Sequence, residues 1–133
     1  MAITLGNLFK TGALDGALAT IAGGTGDATG DLEFLTSADI SLAVLPMNAT
    51  PFGAATIVGA TSQALANAIT PASAPTSGTI AKGRIRNKAN VPIISWSVSL
   101  AGGGGDMIAG TVVIPSGATS VSCSGITITA SFA

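Results

Sequence analysis

Residues 91–100 read VPIISWSVSL, and this stretch limits what the chain can fold into. Ile94, Trp96, Val98 and Leu100 fall on one side, and Ser95, Ser97 and Ser99 on the other. Period two is the mark of a strand with one buried face. Similar runs surround it: TIAKGRIRN at 79–87, MIAGTVVI at 107–114 and VSCSGITITASF at 121–132. Turn chemistry separates them, at 88–90, in AGGGGD at 101–106 and in PSGAT at 115–119. The spacing predicts an antiparallel meander, the body of an all-β fold: a β-sandwich or a jelly-roll-like barrel. Ile94, Trp96, Val98, Leu100, Val112, Ile114, Ile126 and Ile128 are the expected core, with Trp96 at its centre. The last run changes phase. Val121 and Cys123 have odd parity, Ile126, Ile128 and Ala130 even, so a β-bulge is expected near Gly125.

Composition narrows the function. The 133 residues amount to one domain, read as a helix or arm over 1–13 and a sandwich over 14–133. Charged residues are 8% of the chain, against roughly 25% in ordinary soluble domains. A surface so poor in charge suits burial against other chains better than a free monomer. Net charge is −1, and the one cationic cluster, Lys82, Arg84, Arg86 and Lys88, is too small for sequence-independent nucleic-acid binding. No apolar run reaches the ~20 residues of a membrane span. The start, MAITLGNLFKTG, lacks the pattern of a secretion signal, so synthesis in the cytoplasm is expected. Cys123 is alone and reads as a small buried hydrophobe.

Leu5, Leu8 and Phe9 have helical spacing, which predicts a short helix over 3–11 ended by Gly12. Such a helix must dock, either on its own sandwich or on a neighbouring subunit. Residues 14–22 (LDGALATIA) read as a first strand. GGTGDATGD at 23–31 reads as a mobile surface loop, because its glycine spacing fits neither phosphate-binding fingerprint. Asp27 and Asp31 could hold Ca²⁺ there, without the spacing of a helix–loop–helix site. Residues 32–35 and 39–45 read as strands, with Pro46 ending the second. Phe52 is expected at the core edge. Residues 57–70 fit helix or strand, and the strand is favoured by their neighbours.

No histidine is present, so the usual general base and commonest metal ligand are missing. Most of the carboxylates fall in or beside expected turns. The expectation is therefore no enzyme, no metal and no cofactor. Lys82, Arg84 and Arg86 share one face of their strand. That face is either solvated, discouraging edge pairing, or meets carboxylates of a partner through arginine forks.

The order of short motifs carries a resemblance. After the N-terminal segment and the glycine-rich loop come DISLAVL, Pro51-Phe52-Gly53-Ala54-Ala55, Asn67-Ala68-Ile69 and Ser77-Gly78-Thr79-Ile80-Ala81. Gly83-Arg84-Ile85-Arg86, a turn closing on Asp106, and Pro115-Ser116-Gly117-Ala118 before VSCSGITITA complete the series. This order resembles small β-rich virion structural proteins of tailed bacteriophages, the head decoration or cement-like proteins among them. The resemblance implies a protein on the outer capsid surface that ties major capsid protein subunits together. It also implies a homo-oligomer, a trimer being the expected form. Lys82, Arg84, Arg86, Leu5, Leu8 and Phe9 are then the candidate partner contacts. A tail, neck or head-fibre component is the alternative within the virion, and a carbohydrate-binding β-sandwich the alternative outside it.

Overall fold

A computed structural model describes residues 6–131. The first element is a helix, α1, at Asn7–Ala19, running into a 3-10 turn at Thr20–Ala22. Leu14, Leu18 and Ile21 are spaced four and three apart, fall on one face and are buried. This corrects two expectations. Gly12 does not end the helix, and residues 14–22 are not a strand. Added methyl groups at Gly12 and Gly16 would meet nothing, so both glycines cost helix propensity without interrupting the stripe. The helix docks on its own chain, against the small sheet described next.

Strands follow in chain order: β1 Asp31–Leu35, β2 Ser41–Pro46, β3 Thr56–Val58, β4 Thr61–Leu65 and β5 Gly78–Thr79. Then come β6 Lys82–Arg86, β7 Pro92–Ser99, β8 Met107–Ile108, β9 Val113–Ile114 and β10 Thr127–Ser131. The main sheet has the order β2-β1-β6-β7-β8, the second β10-β4-β3, and β5 pairs with β9 alone. The fold is β-rich with antiparallel pairing throughout except at β7–β8, which is parallel. None of the described sheets closes into a barrel.

The expected meander over 79–132 is replaced by something less local. Within this stretch only β6 and β7 form a hairpin-like antiparallel pair of consecutive strands; β7 and β8 pair in parallel, and β10 leaves for the second sheet. Residues 107–114 are two short strands on different sheets, because Gly110 and Thr111 lie outside any ladder between them. The strand preference for 57–70 holds for β3 and β4. The phase change near Gly125 is visible in burial, with Cys123 half-buried and Ile126 buried. It lies in unpaired chain ahead of β10, not in a bulge.

The core has moved toward the N-terminal half. Ile21, Leu32, Leu42, Leu45 and Ile85 are fully buried, while Val98, Ile114 and Ile126 are nearly so. Trp96 is only half-buried and Leu100 is exposed, so neither is the core's centre. The reason is register. Trp96 pairs with Gly83, and the indole lies so close to it that an added Cβ would stand 2.6 Å from Cε2 and Nε1. β7 is flanked on its outer side only by the two-residue β8, so it lies nearer the sheet's edge than β1 and β6, which carry the buried residues Leu32 and Ile85. Phe52 is buried as expected.

Candidate interaction surface

Alternation puts Asp31, Glu33 and Leu35 on one face of β1, and Lys82, Arg84 and Arg86 on the same face of β6. Register places them in pairs: Asp31 beside Arg86, Glu33 beside Arg84, Leu35 beside Lys82. Arg84 Nε donates to Glu33 Oε2, and Arg86 Nη2 donates to Asp31 Oδ2 at 3.1 Å. Arg86 Nε lies 3.5 Å from Glu33 Oε2. Lys82 Nζ meets Asp39 Oδ1 at 2.8 Å. The carboxylates sought on a partner are thus present in this chain. β6 is flanked on both sides, so its charges do not guard an edge. The signal was in the sequence: acids at 31 and 33 and cations at 82, 84 and 86 have the same period.

Burial separates the two acids. Burial pushes Glu33 up, but hydrogen bonds from Arg84 and Ser41 and the charge of Arg86 outweigh it and leave the carboxyl below its ordinary value. Burial dominates at Asp31 and holds it above its ordinary value, despite Arg86.

The other carboxylates also have structural partners. Asp15 Oδ1 accepts from Ala55 N at 2.7 Å and ties α1 to the chain before β3. Asp27 Oδ2 accepts from Asn90 Nδ2 at 2.9 Å. Asp106 Oδ2 accepts from the Ser97 hydroxyl at 2.7 Å and its N–H at 3.0 Å, which holds that exposed carboxyl below its ordinary value. Each of the chain's 6 acids is engaged in this way. Among the described residues, no cluster of acids or cysteine could hold a metal ion.

The glycine-rich loop is docked, where a mobile one was expected. Asp27 N donates to Lys88 O at 2.8 Å, and Lys88 N to Gly23 O at 3.1 Å. Gly24 and Gly26 have positive φ, and a Cβ at either would strike the 88–89 backbone or the Ala89 methyl at 2.7–3.0 Å. The loop therefore clamps the β6–β7 turn.

Much of what remains exposed is apolar or hydroxylic. Leu8 is 87% and Phe9 58% exposed on the face of α1 away from Leu14 and Leu18. Leu5 lies outside the described residues. Ile40, Val58, Leu65, Ile108 and Val113 are also exposed. A groove of about 480 Å³ opens between β8, β9 and residues 118–125, lined by Phe34, Ile80, Val98, Met107, Ile114 and Cys123. Cys123 is half-buried there and packs against the core. Among the described residues, no helix is long and apolar enough to cross a membrane. No protein-family model, curated protein or solved structure matches the chain.

Proposed function

We propose that this chain is a bacteriophage capsid decoration or cement protein, working by assembly and not by catalysis. It binds the outer head surface and stabilises contacts between major capsid protein subunits, itself as a homo-oligomer. The observation that carries the reading is the surface. With three of the 5 cations paired inside the chain, the exterior offers neutral hydroxyls and scattered exposed Leu, Ile, Val and Phe. That surface suits repeated apolar and main-chain burial between copies better than capture of nucleic acid. The motif order described above points the same way. The chain would be made in the host cytoplasm and end on the virion.

The same proposal includes the finer architecture, a β-sandwich. It is supported by one core cluster that draws Leu32, Leu45, Ile85 and Val98 from the main sheet and Ala64 from the second. Packing of Trp96 on Gly83 argues against a sugar-stacking platform, which needs an exposed ring face.

Leu8 is the contact to alter first, because its side chain is exposed and lies outside the core cluster. Co-sedimentation with empty capsids should show saturable binding, and Leu8→Asp should weaken it about tenfold, the loss of a modest interface anchor, with melting unchanged. Wild-type protein that stays in the supernatant contradicts the proposal.

A further inference from the structure

The two main sheets have four edges, and they are not equally protected. β2 contains Pro46, which has no N–H to offer and whose carbonyl already accepts from Thr70 N at 2.9 Å. β8 has two residues and β3 three. β10 has five, Thr127-Ile128-Thr129-Ala130-Ser131, without a proline, a charge or a glycine. Natural edge strands of this length normally carry such protection.

The ladder fixes which groups point outward. β10 pairs with β4 in unbroken register, and Ala66 N donates to Ile126 O at 2.8 Å just ahead of it. Antiparallel ladders bond alternate residues. Ile126, Ile128 and Ala130 therefore face β4, and Thr127, Thr129 and Ser131 turn their N–H and C=O groups to the open edge. Among the described residues, no backbone group elsewhere bonds to Thr127 or Thr129 on that side.

We propose that this edge pairs antiparallel with the same edge of a second copy, about a two-fold axis at Thr129. The strand is its own complement in that arrangement. Thr129 faces its counterpart, and Thr127 faces the second copy's Ser131. The outward groups would make about six main-chain hydrogen bonds, since each narrow antiparallel pair exchanges two. Hydroxyl side chains stand opposite hydroxyl side chains, a favourable cross-strand pairing. Ile128 stands beside the second copy's Ala130, so the core-facing side stays apolar across the joint. No charge on the strand opposes a like charge, which is the usual barrier to self-pairing. The contact is isologous and closed. It does not depend on a virion role, and a three-fold assembly would use a different surface, such as the Leu8 face of α1.

Sedimentation of three samples tests this: wild type, Thr129→Lys and Thr129→Glu. Thr129 is exposed, so the substitutions leave the core intact. Wild type should dimerise with concentration. Each variant alone should dissociate at least about tenfold more readily, because like charges face each other across the axis, and an equimolar mixture should recover a heterodimer. Hydrogen exchange on unaltered protein gives a second readout: the Thr127 and Thr129 amides should exchange more slowly as concentration rises. Monomeric wild type, a dimer indifferent to both variants, or exchange independent of concentration would each overturn the proposal.

Discussion

Glu33 is 3% exposed on β1, with Arg84 bonded to its carboxylate and Arg86 close by. A depressed carboxyl contributes stability that is present above its unfolded value and lost as pH falls through the folded one. The ordinary value is 4.5, so Glu33 stabilises at neutral pH and its contribution fades on acidification below that point. Asp31 acts in the opposite sense. Its raised carboxyl contributes stability that is complete below its ordinary value of 3.8 and lost as pH rises through the folded value. Glu33→Gln separates the two, because glutamine resembles the protonated acid. At pH 7 the variant should be about 1–3 kcal/mol less stable, the cost of leaving a buried charged partner unsatisfied. Thermal melts from pH 7 to pH 3 should show that gap closing below 4.5. A gap that stays constant would mean that the ion pair does not stabilise the fold.

Glycines make the corresponding test for elements. Gly12 and Gly16 lie in α1 with open space around them, so alanine there should raise stability by up to about 1 kcal/mol each. Gly24 and Gly26 hold the loop against residues 88–89 at positive φ, so alanine there should lower it by more. Melting curves for the four variants should split into those two groups; a uniform response would contradict the docked loop. These positions also show what was legible in the sequence. β1, β2, β6 and β7 could be read because each has a continuous apolar alternation or clear turn boundaries. The helix beyond Gly12 was missed although Leu14, Leu18 and Ile21 carried its period, since two glycines weakened the local propensity. The loop clamp could not be read, because it is made by residues some sixty positions apart. The facing charges at 31, 33, 82, 84 and 86 could have been paired by period alone. Their register could not, since it depends on which strands become neighbours.

At the scale of the molecule, the low charge that was evident from composition has a structural counterpart. The chain neutralises most of its cations internally and turns Thr, Ser and exposed aliphatic side chains outward. One surface is a helix face at Leu8, another the open edge of β10, and they lie on different elements. A protein with two such surfaces can link copies to each other and to a lattice. On the function proposed above, that lattice would be a phage head. The most direct test of that proposal is the copy number of this chain relative to a major capsid protein in purified particles, measured by quantitative mass spectrometry. A decoration protein should be present in a fixed stoichiometric ratio to the capsid subunits. A handful of copies per particle would place the chain in the tail, neck or a head fibre, and its absence from the particle would contradict a virion role altogether.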